Sequence, residues 1–387
     1  MDEPSSIRPP HRSPAVQLIY ELLLLLSATL ISASIFSFLG SSLATRIFGV
    51  SREAIMGFDA GAPREVESAF KLVQAFSAVG TFIVPAWALS RFLGQSFSRF
   101  TGFTGSVYAP MVGLAVLSLI VAQPFVDFLQ QFNAGLSLPG SMEELQKSME
   151  EMEARAMRFT MGFLEMRGLG DLLVNTLIIA IIPAVGEEIF FRGLLQRRIQ
   201  AWSGHPHLAI WMAAIVFSAV HLQFFGFLPR MFLGAVFGYL FYYGGSLWYP
   251  VAAHFVNNFG ALAVVYFSEE RHPEAINQSM DIPHIGNIIS LLVLIAIVFG
   301  FRAYSNRRKP QPPVEGLPTG EWQKVFETRD RIKAEILQGK LEARDIRAVI
   351  VDKKDSAYQL FGYIELHVPD EYLHEARHIV QQEENAG

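Results

Sequence analysis

The sequence predicts an all-α polytopic membrane protein of about eight transmembrane helices, followed by a small soluble α+β domain of β-α-β-β-α order. Three observations support this class. Hydrophobic residues fill 51% of the 387 positions, with 32 phenylalanines among them, and the mean hydropathy is positive, unlike an ordinary soluble chain. Apolar runs of about 20 residues, the length that crosses a hydrocarbon core, recur as far as residue 303. Past a proline- and glycine-rich break the chain turns charged and its patterning becomes strand-like.

Residues 1–15 form a polar, proline-rich tail. The apolar run behind it is longer than the 7–15 residues of a cleaved signal, so it reads as a retained first span. Eight spans are expected near 16–40, 70–90, 108–129, 172–197, 207–226, 228–244, 247–267 and 285–303, giving a membrane domain over 16–304. Short-loop cations cluster at Arg8 and Arg12, Arg91 and Arg99, Arg197 and Arg198, and Arg302 through Lys309. An even number of spans puts all four clusters on one side, so the positive-inside rule predicts cytoplasmic N- and C-termini in the plasma membrane. The net charge of -5 carries no basic footprint for nucleic acid. With no cysteine, disulfides, thiolate metal sites and cysteine nucleophiles are excluded, and histidine and carboxylate must carry any chemistry.

Between the third and fourth spans, Met142, Leu145, Met149, Met152, Ala156 and Phe159 repeat at steps of three and four. This predicts an amphipathic helix with an acidic outer face, lying at the interface or over the bundle; a methionine-lined substrate gate is the sharper alternative. After the last span, KPQPPVEGLPTG marks a linker over 305–320. The domain over 321–387 reads as strand EWQKVFE, a helix with Ile332 and Ile336 turned inward, strands IRAVIVD and GYIELHV, and a closing helix capped by Asp370. Its pattern and the GYIELHVP stretch resemble the putative prokaryotic signal-transducing domain, which leaves a regulatory partner as the expectation for this tail.

Ionisable groups inside spans cost about 2.5–3.5 kcal/mol each at mid-bilayer and are usually functional. In AVGEEIFFRG, Glu188 and Arg192 are four apart and can pair, while Glu187 points about 100° away around the helix. In the fifth span Phe217 lies one turn from His221 and can pack beneath its ring. In the seventh, HFVNN sets His254 near both Asn257 and Asn258. Each has an ordinary alternative: an ion pair tying helices together, an interfacial histidine, or interhelical hydrogen bonding. Taken together, a spare glutamate, two histidines and a carboxamide are the parts needed to activate water and hold an oxyanion. Gly234 and Gly238 offer a small-residue face for close packing in the sixth span.

These motifs, EEIFFR with Glu187, Glu188 and Arg192, then Phe217 with His221, then His254 with Asn258, resemble in order those of the CAAX prenyl endopeptidase and bacteriocin-processing (CPBP, Abi) family of intramembrane proteases. The resemblance covers about 170–262. It implies that Glu187 and His221 activate water, that His254 and Asn258 stabilise the oxyanion, and that Glu188, Arg192 and Phe217 support them; it also selects Asn258 over Asn257. It implies a protein or peptide substrate in the bilayer. The family is often labelled metalloprotease, and Glu187, His221 and His254 could ligate zinc. The HExxH spacing is absent, however, and the expectation leans toward metal-independent hydrolysis. A membrane transporter or proton relay is the rival for the same polar groups, and a binding protein the third. The predicted span limits leave Glu187 and His221 roughly 10 Å apart in depth, which tilt, a longer fourth helix through QRRIQ or a re-entrant fifth span would have to close.

Overall fold

The computed structural model describes residues 14–59, 61–105, 107–268, 284–308, 322–328, 331–352 and 364–386. The polar N-terminal tail with Arg8 and Arg12, and most of the proline-rich linker with Lys309, lie outside the described residues. The chain divides into two compact units, Met1–Asn306 and Arg307–Gly387.

The first unit is helical. Among the described residues seven helices are long and apolar enough to cross a membrane: α1 (Pro14–Phe48), α2 (Arg64–Phe92), α3 (Ala109–Ala134), α5 (Leu169–Ser203), α7 (Phe227–Gly244), α8 (Trp248–Phe267) and α9 (His284–Arg308). The amphipathic α4 (Glu143–Leu164), the short apolar α6 (Pro206–Ala219) and two single-turn helices at Arg52–Met56 and Phe97–Thr101 accompany them. This makes the protein an integral membrane protein. Leucines and isoleucines such as Leu23, Leu30, Ile31, Ile288 and Leu292 stay exposed on α1 and α9, as expected where the surrounding solvent is lipid.

The fourth span is longer than predicted and the fifth shorter. The helix of α5 runs on through QRRIQ to Ser203. It stops at Gly204, whose φ of +68° is the left-handed conformation that ends helices, and α6 starts two residues later on Pro206, whose fixed φ suits a first turn. Glu187 lies seventeen residues before Gly204 and His221 seventeen after it. The longer fourth helix and the early start of α6 bring the two side chains to one cavity, where the predicted span limits had set them apart.

Glycines set the packing of these helices. A Cβ on Gly238 would lie 2.8 Å from Ile210, and one on Gly234 would lie 3.1 Å from Phe217, so α6 and α7 form a close antiparallel hairpin. Arg192 and Gln196 of α5 reach the Gly234 and Gly238 carbonyls at 2.9 and 3.2 Å, so α5 and α7 run parallel. The start of α1 meets the end of α5 through Glu21 and Arg198 at 3.3 Å, and the end of α9 meets the end of α7 through Ser305 and Tyr243. The first and last helices of this unit therefore begin and end on the same face of the bundle.

Two expectations about amphipathic faces are corrected. On α4, Gln146, Met149, Glu153, Ala156 and Phe159 turn partly inward, while Leu145, Met152 and, just before the helix, Met142 are exposed. The inward stripe thus includes an acid, Glu153, which lies against the Phe225 backbone and in the field of Arg230. In the second unit, β1 (Trp322–Thr328), α10 (Arg331–Glu342), β2 (Val349–Asp352), β3 (Ile364–Pro369) and α11 (Leu373–Ala386) form an antiparallel sheet of order β1-β3-β2 with two helices. The core stripe of α10 is Ala334, Leu337 and Leu341, and Ile336, off that stripe, is exposed. Asp370 begins a 3₁₀ turn that leads into α11, tightening the helix start.

Two outcomes are expected. Gly193→Ala drives a Cβ into the Thr101 carbonyl oxygen, a backbone atom with nowhere to go. It should cost at least about 1–3 kcal/mol, seen as a lowered unfolding midpoint in detergent. Residues 307–387, expressed alone, should be soluble and melt cooperatively by circular dichroism, since Leu341, Leu366, Val368 and Ala376 form a core within that unit.

Candidate active site

The polar centre is built on α5, where the helix widens into π turns over Thr176–Ile181 and Ile189–Gln196, on either side of the glutamate pair. Such turns recur at functional positions because they re-aim side chains and loosen backbone hydrogen bonds. Glu188 and Arg192 form the expected pair at 2.9 Å, with side chains 0% and 1% exposed. The guanidinium also donates to Gly234 and lies over the Phe217 and Phe237 rings at 4.7 and 5.3 Å. A charge removed from water is tolerated only when paired and hydrogen-bonded in this way.

His254 joins the pair from α8, its Nδ1 donating to Glu188 Oε1 at 2.9 Å. The ring stacks on Phe237, centroids 4.9 Å apart, and Phe217 meets it edge-on. This fixes Nε2 3.8 Å from Oε2 of Glu187. His221 follows the end of α6. Its Nδ1 donates to the Phe217 carbonyl at 2.8 Å; since a carbonyl only accepts, Nδ1 carries the proton and Nε2 keeps its lone pair. Phe217 packs edge-to-face against this ring at 5.2 Å, tilted and not flat beneath it. Leu222, the next residue, adopts φ +54° without being glycine, a strained conformation of the kind that clusters at functional sites.

Glu187, Phe217, His221, His254, Asn257 and Asn258 all line one cavity of about 840 Å³, within the roughly 300–1,000 Å³ of ligand sites. Asn258 donates one N–H to the Ile179 carbonyl at 3.0 Å and accepts from Asn257 at 3.2 Å. Its carboxamide is thereby oriented with a second N–H to spare, while geometry alone does not separate it from Asn257. Among the described residues no group of three or more His, Asp or Glu side chains stands close enough to hold a metal ion. Glu187, His221 and His254 share a cavity but do not converge on a common ligating point.

Residues 169–260 match the family model described as type II CAAX prenyl endopeptidase Rce1-like. The membrane core resembles the Rce1-like peptidases. The polar centre described above, from Glu187 to Asn258, falls within this Rce1-like segment. Residues 322–384 match the model described as putative prokaryotic signal transducing protein. Over 86 residues the chain is 28% identical to the uncharacterized protein YpbD of Bacillus subtilis, covering 21% of this chain and 41% of that protein. No solved structure matches the chain.

Sequence reasoning passed over two residues of this region. Gln196 repeats the Arg192 contact one turn on, and its signal was the i+4 spacing. Arg230, a lone cation in the apolar run FLPRMFLG, lines the same cavity.

Arg192→Met should leave Glu188 buried beside only the His254 ring and cost about 3–5 kcal/mol. The Glu188→Gln, Arg192→Met double variant should recover part of that loss, as read from unfolding midpoints of the purified proteins in one detergent.

Proposed function

We propose that the protein is an intramembrane endopeptidase that hydrolyses a peptide bond of a membrane-associated protein or peptide. The observation that carries this reading is the unequal state of the two adjacent glutamates. Glu188 is occupied by Arg192 and His254, and Glu187 faces the cavity with the two histidines. The Rce1-like match supports the peptidase class, and a CAAX-type substrate is the chemistry its description suggests.

In this reading Glu187 takes a proton from water while Nε2 of His221 accepts the other water hydrogen, and the oxygen attacks the substrate carbonyl carbon. The oxyanion so formed is held by Nε2–H of His254 and the spare N–H of Asn258. Because Nδ1 of His254 is spent on Glu188, Nε2 donates only when the ring is cationic, and Glu188 supplies the counter-charge. The proton held by Glu187 passes to the departing nitrogen as the C–N bond breaks, leaving a carboxylic acid and an amine. No step is assigned to a metal. Basic residues Arg197, Arg198 and Arg302 lie at the face of the bundle where α5 and α9 end, which supports a cytoplasmic assignment for that face. The signal-transducing-like unit is read as a regulator of access, and a chain ending near residue 312 should cleave at an altered rate.

Glu187→Ala should abolish cleavage while keeping the unfolding midpoint near that of the native chain. The test is a proteomic comparison of membranes carrying each form; products that persist with the variant would end the peptidase reading. Asn258→Ala should slow turnover by about 10²–10³-fold, the usual loss for one oxyanion donor, with a smaller effect on substrate affinity.

A further inference from the structure

Arg230 stands one turn above Gly234 on α7 and lines the cavity with Glu187, His221 and His254. One of its terminal nitrogens donates to the neutral Gln223 Oε1 at 2.8 Å. The other, Nη1, is covered and has no hydrogen-bond partner among the described residues. Among the described residues no carboxylate forms an ion pair with it. A half-buried guanidinium whose covered nitrogen is unpaired and whose hydrogen-bonded one meets only a neutral acceptor is better satisfied once an anion completes it.

The surroundings hold this cation in place. The loop before α7 is tied to α3, with Asn133 donating to the Phe224 carbonyl and Gln130 to that of Phe225, while Leu228 donates back to Asn133. Gly226 leaves the space the guanidinium occupies, since a Cβ there would lie 3.0 Å from Nη2 of Arg230. Two anions lie in the field of Arg230, Glu187 across the cavity and Glu153 on α4; neither is within ion-pair distance, and Glu153 is the rival outside the catalytic set. Burial pushes its carboxyl above the usual range, against the pull of Arg230 and the Phe225 backbone, so it holds its proton more readily and competes less. Its Oε2 also lacks a partner among the described residues, so the two groups are near each other without being joined.

We propose that Arg230 is the docking point for a carboxylate of the substrate. Resting on the peptidase reading, this places an acidic group of the bound peptide near the loop before α7 and its scissile bond beside Glu187 and His254. Guanidinium and carboxylate match as a two-pronged hydrogen-bonded pair, stronger than neutral contacts and geometrically selective. The carboxylate could come from a free C-terminus or from an aspartate or glutamate side chain.

The test uses the full chain in nanodiscs and a randomised, N-acylated octapeptide pool. One pool ends in a free carboxylate and lacks Asp and Glu, a second ends in a carboxamide and lacks them, and a third ends in a carboxamide and contains them. Retention is measured on the Glu187→Ala chain by mass spectrometry. The first or third pool should be retained at least about tenfold over the second, equivalent to about 1.4 kcal/mol, and which of the two is favoured names the source. The preference should vanish in Glu187→Ala, Arg230→Gln and survive in part with Arg230→Lys. Equal retention of all three pools, no retention of any, or a preference that persists without Arg230 would each overturn the proposal; the comparison of pools on the chain with Arg230 intact decides even if the double variant does not fold. Retention with the predicted preference but no cleavage by the Glu187 form would leave the docking site standing and remove the peptidase reading. Cleavage without carboxylate preference would do the reverse.

Discussion

The buried pair of Glu188 and Arg192 is the constraint on which the membrane unit depends. Neither charge can remain in the lipid-surrounded interior without the other, and between them they recruit the other helices. Arg192 reaches the Gly234 carbonyl of α7, and Glu188 accepts from His254 of α8. Phe217 of α6 and Phe237 of α7 cover the guanidinium. One ion pair thus sets the mutual placement of four helices, and the orientation of the His254 ring follows from it.

Small residues make that convergence sterically feasible. Gly234 and Gly238 let α6 lie against α7, and Gly238 also leaves room for the Gln196 side chain that reaches its carbonyl. In lipid, association rests on packing and on hydrogen bonds and not on the expulsion of water. Carbonyl acceptors exposed by glycine are therefore worth more here than glycine's loss of chain entropy would suggest.

Much of this was legible in the sequence because its signals are local. The Glu188 and Arg192 pair follows from a spacing of four, and the class of the fold follows from run lengths and composition. What escaped depends on relations between helices. The predicted limits of the fourth and fifth spans came from hydropathy, and helix α5 simply continues past its apolar run as RRIQAWS, shielded by partners such as Glu21 and the Phe100 carbonyl. Of the six residues in the hydrophobic repeat, Met149, Ala156 and Phe159 turn inward as read, and Met142, Leu145 and Met152 do not. The inward face is met by groups far along the chain, Phe58 and Phe70 stacking on Phe159 and the Phe225 backbone and Arg230 lying near Glu153, which no single helix pattern encodes. The choice between Asn257 and Asn258 likewise belongs to the family resemblance and not to helical spacing.

The brevity of α6 has a consequence for the bilayer itself. Its 14 residues extend about 21 Å at 1.5 Å per residue, against roughly 30 Å of hydrocarbon. Its outer face is apolar, with Leu208, Trp211, Ile215 and Val220 exposed. A helix this short meets the bilayer by local thinning, by snorkelling of flanking side chains or by association, each at a modest cost per ångström. Thinning would shorten the hydrophobic barrier beside His221, at the end of this helix, relative to the rest of the bundle.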